Sequence, residues 1–221
     1  MIIVHHLNDS RSQRVLWLLE ELGLAYEVKR YQRDKKTSLA PAALKAIHPL
    51  GKSPVIEDGD VRVAETGAII EYLLEAHGNG RLKPAAGTPE ARRYTYWLHY
   101  AEGSAMTPLL LKLVFSQLPK RSPLLIRGIV KAVSDKVQQT FIDPQIVSHT
   151  AYWEDELRKS EWFAGDTFSA ADIMMSFPLE AAGSRVPFGP DKPRIAAFLK
   201  AIHARPAWQK ALERGGPYSY G

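Results

Sequence analysis

The stretch HHLNDSRSQRVLWLLEELG, residues 5–23, decides how the chain begins to fold. It overlaps an apolar run that predicts a β-strand over residues 2–7. Behind the strand, apolar positions at helical spacing predict an amphipathic helix over residues 10–22, which Gly23 ends. A strand followed after a short turn by a helix indicates the start of an α/β domain.

Between this strand and this helix stand a serine and two arginines in an unusual order. Ser10 lies at the predicted helix start, and Arg11 and Arg14 follow it within about one turn. Cations near a helix N-terminus oppose the helix dipole, so ordinary capping does not explain this order. An anion brought by a ligand would account for both the serine and the arginines.

The first third of the chain alternates strands and helices in the order β-α-β-α-β-β-α, which predicts a small α/β domain with a mixed sheet over residues 1–78. The Asp58-Gly59 pair marks the turn of a hairpin between the last two strands. After the first helix, the predicted elements are a strand over residues 25–31, a helix over 39–47, a hairpin over 53–65 and a helix from Thr66 to about Ala76.

Residues 79–89 are rich in glycine and proline and lack periodicity, which is typical of a linker. Beyond them every periodic segment is helical, so an all-α C-terminal domain is predicted over residues 90–221. Pro108 is predicted to kink the first helix of this domain. The predicted helices run from Pro89 to about Leu118 and over residues 123–158, 170–182, 191–203 and 206–214.

Composition excludes several classes of protein. The net charge is +5, but Lys and Arg are spread over the chain without a basic stripe, so no nucleic-acid partner is predicted. No apolar run approaches the roughly 20 residues that span a membrane, and the N-terminus lacks the features of a secretory signal, which favours a cytoplasmic location. The chain has no cysteine, which excludes disulfides, thiolate metal sites and thiol chemistry of its own; no metal site is predicted.

Ser10 has two interpretations that its neighbours leave open. It is an N-cap, since serine is among the best capping residues, or its hydroxyl donates to an external anion at the helix start. The absence of a G-x-S-x-G elbow around Ser10 disfavours a hydrolase nucleophile. His5 and His6 are predicted to be strand residues without a chemical role.

Ser53-Pro54 enters a predicted strand, where a trans proline would cost a bond of the sheet. A cis bond in a tight turn fits this position and would turn the backbone of Ser53 outward, toward a peptide-like ligand. Lys52, taken alone, is an ordinary solvated lysine.

Two further segments carry helix-start signals. Thr66 is an N-cap candidate whose helix offers a second anion site, and Glu65 before it could take an ammonium group of a ligand. The alternative for this pair is a cap beside an exposed carboxylate. Ser169 and Asp172 have the spacing of a capping box, with Asp in place of Glu or Gln, and are interpreted as structural.

Together and in this order, these segments resemble the cytosolic glutathione transferases. The stretches LNDSRSQRVLWLLEELGLAYE (7–27) and IHPLGKSPVIED (47–58) are most similar to the serine-type bacterial and fungal members, and the resemblance covers nearly the whole chain. It implies a thioredoxin-like N-terminal domain, the linker and the all-α domain. It also implies a cytoplasmic, homodimeric detoxification enzyme that uses glutathione as its co-substrate, without a metal.

The resemblance implies a role for each matched residue. Ser10 matches the catalytic serine that hydrogen-bonds the glutathione sulfur, and Ser53, before the presumed cis-Pro54, matches the residue whose backbone pairs with the cysteinyl unit. Gly67 stands where other members carry arginine, so one carboxylate contact has no counterpart. The other implied glutathione contacts are Lys52 on the tripeptide, Glu65 and Thr66 on the γ-glutamyl group, and Glu102, which would reach the glutathione of a partner subunit.

A thioredoxin-like domain without cysteine must take its thiol from the ligand. We therefore predict a glutathione S-transferase that activates the glutathione thiol for attack on a small hydrophobic electrophile, and the same thiolate could instead reduce a hydroperoxide as a peroxidase. A glutathione-dependent disulfide oxidoreductase and a non-catalytic scaffold of this fold remain as alternatives, although a scaffold needs no Ser10. Candidates for the electrophile pocket, whose spacing equally fits a bundle core, are Tyr100, Met106, Leu110 and Phe115.

Overall fold

The computed structural model describes residues 1–34, 37, 39–185 and 188–220 of the chain. Its N-terminal part contains a four-stranded sheet in the order β2-β1-β3-β4. The central strand β1 pairs in parallel with β2 and antiparallel with β3, which makes the sheet mixed, as predicted. The strands are β1 (Ile2–Leu7), β2 (Tyr26–Tyr31), β3 (Val55–Asp58) and β4 (Val61–Ala64).

Three helices accompany the sheet: α1 (Ser12–Leu22), α2 (Ala43–Ile47) and α3 (Thr66–His77). Helix α1 ends as predicted at Gly23, whose left-handed backbone, with φ of 65°, lets its N–H return to the last turn of the helix. The predicted start of α2 at residue 39 was wrong. Pro41 disfavours a helical backbone at the residue before it, and the helix begins only at residue 43.

From Pro89 onward the described residues form helices. Residues 78–88, which lie between α3 and this helical part, contain neither helix nor strand. The helices are α4 (Pro89–Tyr100), α5 (Met106–Arg121), α6 (Arg127–Val137), α7 (Asp143–Lys159), α8 (Ala170–Arg185), α9 (Pro193–His203) and α10 (Pro206–Gly215). None of the helices in the described part of the chain is long and apolar enough to cross a membrane.

The first predicted long helix is divided by a π-helical turn, Ala101–Ala105. This widened turn precedes Pro108, whose missing N–H removes a bond from the helical ladder. Within this turn the carbonyl of Gly103 also accepts the hydroxyl of Thr107 at 3.1 Å. The distortion is therefore a wider turn before Pro108, and it carries Glu102, a residue on which the site depends.

The second predicted long helix is divided in the same way. It opens with a 3₁₀ turn, Leu124–Ile126, and a π-helical turn, Gln138–Ile142, separates α6 from α7. Pro144 follows that turn closely, as Pro108 follows the first. The prediction of one continuous helix over residues 123–158 was thus wrong. Hydrophobic periodicity alone does not reveal a turn that is wider by one residue.

Helix α1 lies at the centre of the molecule. Its side chains Val15, Leu16, Trp17, Leu18 and Leu19 are all buried in one core that continues into the helical part. The helix contacts β1 on one side and α8 and α10 on the other. The burial of α1 fixes the turn before it, where Ser10 lies, relative to both parts of the chain.

The capping box at the start of α8 is formed. The Asp172 carboxylate accepts the backbone N–H of Ser169 at 2.8 Å and its hydroxyl at 3.1 Å. It also accepts the backbone N–H of Phe163 at 2.8 Å, so it closes the loop before the helix as well. Burial raises the pKa of Asp172 to about 7, while these hydrogen bonds favour the ionised form.

Replacement of Asp172 by alanine would leave these buried donors without an acceptor. We expect the free energy of unfolding to fall by at least about 2 kcal/mol, since each unsatisfied buried donor costs about 1–3 kcal/mol. Asp172→Asn, which keeps an acceptor oxygen, should lose less. Urea denaturation measures both, with the exposed Asp155→Ala as control; equal losses for the alanine and asparagine variants would contradict the capping role.

Candidate active site

The turn between β1 and α1 carries Ser10, whose side chain is only 5% exposed. Its Oγ accepts the backbone N–H of Ser12 at 3.3 Å, and the two serine hydroxyls share a hydrogen bond of 2.7 Å. The predicted helix start at residue 10 and the predicted N-cap at Ser10 were wrong: α1 begins at Ser12 with Arg11 as its N-cap residue, and Ser10 lies one residue earlier, where it pairs with one N–H of the first turn. The same position faces the positive end of the helix dipole, where an anion is favoured.

The hydrogen bonds of Ser10 continue to a histidine. The Ser12 Oγ lies 2.8 Å from Nδ1 of His6 and 3.3 Å from the carbonyl oxygen of Leu7. Burial, together with the charge of Arg30, lowers the pKa of His6 to about 4, so the imidazole is neutral at pH 7. Ser10, Ser12 and His6 are all buried. Nothing in the sequence marked His6 or Ser12, because no motif joins these positions.

A polar cleft of about 280 Å³ lies next to this turn, with Arg11 on its wall. Ser10 itself is not among the lining residues. The cleft brings together the predicted glutathione contacts, which come from three separate segments of the chain: Lys52, Ser53, Pro54, Glu65, Thr66 and Glu102. His48 and Leu50, which the sequence analysis did not single out, also line it.

The peptide bond between Ser53 and Pro54 is cis, as predicted. The Ser53 hydroxyl donates to the carbonyl of His5 at 2.8 Å and accepts the backbone N–H of Leu7 at 3.2 Å. The side chain of Ser53 is thus used to hold the loop against the end of β1. A ligand in the cleft would therefore meet Ser53 through its backbone.

Glu65 and Thr66 form the start of α3, but not with the predicted cap. Thr66 is the first residue of the helix, and Glu65 occupies the N-cap position without a side-chain capping bond. Glu65 has φ of 71°, a conformation that costs energy for any residue other than glycine. Strain of this kind is concentrated at ligand sites, and here it leaves the Glu65 side chain exposed at the cleft.

Arg11 and Arg14 have an anionic partner within the chain. Nε of Arg11 donates to both carboxylate oxygens of Glu102, at 2.9 and 2.8 Å, and Arg14 donates to the same carboxylate. Burial would raise the pKa of Glu102, but Arg14 and Arg11 hold it below its usual value. The cations at the start of α1 are therefore explained by Glu102, and not by a ligand alone.

Arg14 is buried, and its contacts join several elements. Its guanidinium donates to the carbonyl of Met174 in α8 at 2.7 Å and lies 3.5 Å from the Thr66 hydroxyl in α3. Arg11 is about one-third exposed and lines the cleft. Both guanidinium groups lie over the ring of Phe177, at 5.3 and 5.4 Å.

The four residues predicted for the electrophile pocket are not brought together. Tyr100 is buried in the bundle, where its hydroxyl bonds His149 and accepts the indole N–H of Trp153 at 3.0 Å. Met106 is also buried. Tyr100 and Met106 are therefore residues of the bundle core, which was the alternative interpretation of their spacing. Leu110 is 52% exposed, and Phe115 packs partly buried against the core.

A second cleft of about 460 Å³ adjoins the first and shares Glu65, Thr66 and Glu102 with it. It extends between α3 and the helical part, past Leu98 and Met174. Sequence periodicity places these two residues in helices but cannot show that the helices meet there. Among the described residues, no group of three or more His, Asp or Glu side chains is placed to hold a metal ion.

The fold and the site define a class of protein: a thioredoxin-like domain without cysteine, whose polar cleft contains both signs of charge and adjoins a helical bundle. Residues 1–75 match the glutathione S-transferase N-terminal domain, and residues 127–215 match the glutathione S-transferase C-terminal domain. The chain belongs to the cytosolic glutathione S-transferase family. The family, the fold class and the transferase function predicted from the sequence are thus confirmed.

Individual relatives agree with this assignment. The chain is 34% identical to glutathione S-transferase 1 of Saccharomyces cerevisiae, over 97% of this chain and 95% of that protein. It is 32% identical to glutathione S-transferase 3 of Schizosaccharomyces pombe, over 97% of this chain and 88% of that protein. A solved glutathione S-transferase of Actinobacillus pleuropneumoniae superposes with a TM-score of 0.76 at 35% identity, over 97% of this chain and 93% of that one.

Replacement of Glu102 by glutamine would leave Arg14 buried without its main counter-charge. We expect the free energy of unfolding to fall by about 2 kcal/mol at neutral pH, less than for a fully buried pair because Glu102 is 34% exposed. Urea denaturation of wild type and variant, with the exposed Glu161→Gln as control, measures this loss.

The loss should depend on pH. A carboxylate whose pKa is lowered by folding stabilises the folded state at pH values above its pKa in the unfolded chain, which is 4.5 for Glu102. This stabilisation disappears as the pH falls through the lower pKa that the carboxylate has in the folded state. The difference between wild type and Glu102→Gln should therefore shrink in acid. A difference that stays constant with pH would contradict the ion pair.

Proposed function

We propose that the cleft binds glutathione and that Ser10 donates a hydrogen bond to its thiolate, which places the protein among the serine-type transferases. The observation that carries this proposal is the position of Ser10: its hydroxyl accepts an N–H of the first turn of α1, and the next residue, Arg11, lines a cleft with both signs of charge. Glutathione is a peptide with one ammonium group, two carboxylates and one thiol, so a site for it needs both kinds of charge.

The charged residues of the cleft suggest how the tripeptide would lie. Glu65 would hold the γ-glutamyl ammonium group, and Thr66 with the N-terminus of α3 would hold the adjacent carboxylate. The backbone of Ser53 would pair with the cysteinyl unit, because its side chain is already bonded to β1. Lys52 would bind the second carboxylate.

The residues present are sufficient to activate a thiol. A free thiol has a pKa of about 8.5, and lowering it by about 2 units requires about 2.7 kcal/mol of preference for the thiolate. A hydrogen bond to a charged group supplies about 1.5–3 kcal/mol, and a helix N-terminus adds about 0.3–1 kcal/mol. Ser10 and α1 together reach this total without a general base.

In the proposed reaction the thiolate attacks an electrophilic carbon, a C–S bond forms, and the leaving group departs with the bonding electrons. The cleft past Leu98 and Met174 shares Glu65, Thr66 and Glu102 with the proposed glutathione cleft, and it replaces the buried region around Tyr100 as the candidate site for the electrophile. Reduction of a hydroperoxide by the same thiolate is a second candidate activity. Reduction of disulfides would also need only this site. The rates of turnover of an electrophile, a hydroperoxide and a disulfide distinguish the three activities.

Glu102 has a different role in this proposal from the one that the resemblance implies. Its two carboxylate oxygens are paired with Arg11 and Arg14 of its own chain. We propose that it positions Arg11 on the wall of the cleft, where the guanidinium adds positive potential, and not that it reaches the glutathione of a partner subunit.

We also propose that the protein is a homodimer and acts in the cytoplasm. Exposed apolar side chains follow α5, the 3₁₀ turn and α6, and a monomer would leave them in water. The residues of this apolar face are Leu110, Val114, Leu118, Leu124, Leu125, Ile126, Ile129 and Val133. A second copy of the chain is the partner that would cover them.

The activation of the thiol is tested by titrating glutathione into wild type and Ser10→Ala. We expect both to bind glutathione, but only wild type to lower the thiol pKa by about 2 units, followed by thiolate absorbance against pH. Turnover of an aryl halide should fall roughly 10–100-fold in the variant, since it loses one hydrogen bond to a charged group. The buried Ser134→Ala is the matched control.

Three outcomes would redirect this proposal. Equal thiol pKa values in both proteins would remove Ser10 from the mechanism. Faster turnover of a disulfide than of an aryl halide would favour the oxidoreductase. Failure of wild type to bind glutathione would favour the scaffold.

The dimer is tested by placing a charge in the apolar face. Leu125 is 98% exposed, so Leu125→Asp should not disturb the monomer fold, yet it should shift the mass in sedimentation equilibrium toward the monomer because a buried unpaired charge opposes association. Leu39→Asp, at a residue 63% exposed and outside this face, is the control. An unchanged mass would place the interface elsewhere.

A further inference from the structure

A buried chain of three polar side chains begins at Ser10. Ser10 Oγ and Ser12 Oγ are 2.7 Å apart, and Ser12 Oγ and His6 Nδ1 are 2.8 Å apart. The proposed function as stated above gives Ser12 and His6 no role. The inference drawn from this chain rests on the proposed function, in which a thiol lies at Ser10.

The position of the proton on His6 follows from its surroundings. A backbone hydrogen bond with Gly215 raises the pKa of the ring, which is the effect of a carbonyl that accepts a ring N–H. Because Nδ1 faces Ser12, we assign this N–H to Nε2 in the resting site, which makes Nδ1 an acceptor. It follows that the Ser12 hydroxyl donates to His6.

Ser12 has a single proton, so this arrangement decides the direction of the next hydrogen bond. If Ser12 donates to His6, the contact between the serines requires Ser10 to donate to Ser12. The Ser10 proton then points away from the cleft. Ser10 keeps its contact with Ser12 and also donates to a thiolate when Ser12 donates to Ser10 and Nδ1 of His6 donates to Ser12, so that both hydrogen bonds among the three side chains reverse.

We propose that Ser10, Ser12 and His6 form a proton path, in which His6 receives the proton that leaves a thiol bound at Ser10. The S–H proton passes to Ser10 Oγ, the Ser10 proton to Ser12 Oγ, and the Ser12 proton to His6 Nδ1. One proton leaves sulfur and one arrives at the imidazole, so that a thiolate and an imidazolium are formed. After the transfer, every hydrogen bond of the chain points toward the sulfur.

The imidazolium has an exit for its extra proton. His6 lines a separate small cleft of about 110 Å³, together with Asp9, Arg30 and Gly215. Release of the Nε2 proton to water in this cleft gives the other neutral tautomer, whose remaining proton on Nδ1 is favoured by the negative charge of the thiolate at the far end of the chain, at the cost of the Nε2 contact with Gly215. The Ser10 hydroxyl is then left as a donor to the thiolate, which is the state that the proposed function requires.

The groups around His6 disfavour its protonated form, so a proton that reaches His6 is released and not retained. Burial is the largest influence that lowers its pKa, Arg30 from β2 lowers it further, and Asp9 from the turn and the Gly215 carbonyl from α10 oppose them. The imidazolium is therefore short-lived. His6 and Ser12 are positioning residues, since neither touches the thiol.

The proton path is tested by the rate at which thiolate forms after glutathione is mixed with the protein in a stopped-flow instrument. We expect Ser12→Ala and His6→Asn, which keeps a polar atom near Nδ1 but cannot carry a proton, to slow thiolate formation by roughly tenfold or more. The affinity for glutathione should stay within about twofold of wild type. Ser134→Ala and His5→Asn, at buried residues outside the path, are the matched controls.

A second measurement uses wild type alone and does not depend on the folding of the variants. The rate of thiolate formation is recorded in mixtures of light and heavy water. A rate that falls along a curve with the deuterium fraction shows that several protons move together and supports the path, whereas a straight line shows one proton and overturns it.

The outcomes separate this proposal from the proposed function. Normal thiolate formation at an unchanged rate in Ser12→Ala and His6→Asn would overturn the path and leave the role of Ser10 intact. Absence of thiolate in wild type would overturn both.

Discussion

The guanidinium of Arg14 is the group on which the arrangement of the site depends. It is fully buried at the centre of the molecule, where an isolated charge would be very costly. Its hydrogen bonds reach the Glu102 carboxylate in the π-helical turn and the Met174 carbonyl in α8, with the Thr66 hydroxyl of α3 at 3.5 Å. Since a charge in this place must keep its partners, the elements that supply them are held at fixed positions around α1.

The helical part makes this ion pair possible through an irregularity. A regular α-helix places residues at successive steps of about 100°, and the π-helical turn Ala101–Ala105 changes that phase by adding one residue. Glu102 lies in this turn and faces Arg11 and Arg14. Tyr100, the residue directly before the turn, points into the bundle. The wider turn therefore lets Glu102 face the cleft while Tyr100, two residues earlier, packs in the bundle.

The chemistry of the site follows from what the chain lacks as well as from what it presents. Without cysteine, a thioredoxin-like domain can act on thiols only through a ligand. Ser10 then offers a neutral donor, α1 offers the positive end of its dipole, and the neutral imidazole of His6 offers an acceptor two hydrogen bonds away. In the proposed mechanism these three groups would stabilise a thiolate and take up its proton without leaving a permanent charge at Ser10.

The sequence by itself determined the order of strands and helices, the stop at Gly23, the hairpin at Asp58-Gly59 and the capping box of Ser169 and Asp172, because each of these depends on residues close together in the chain. It also singled out Ser53, Pro54, Glu65 and Thr66 of the cleft by their local motifs, whereas Lys52 and Glu102 came only from the resemblance to the family, and His48 and Leu50 were not singled out.

Only the tertiary structure decided which side chains meet. Periodicity did not separate core from pocket at Tyr100, nor did spacing show that Arg11 and Arg14 share one carboxylate 88 or more residues away. The contacts of His6 with Ser12 and Gly215 likewise result from the packing of β1 against α1 and α10. Contacts of this range depend on how the elements pack, and a pattern of residues within one element does not encode them.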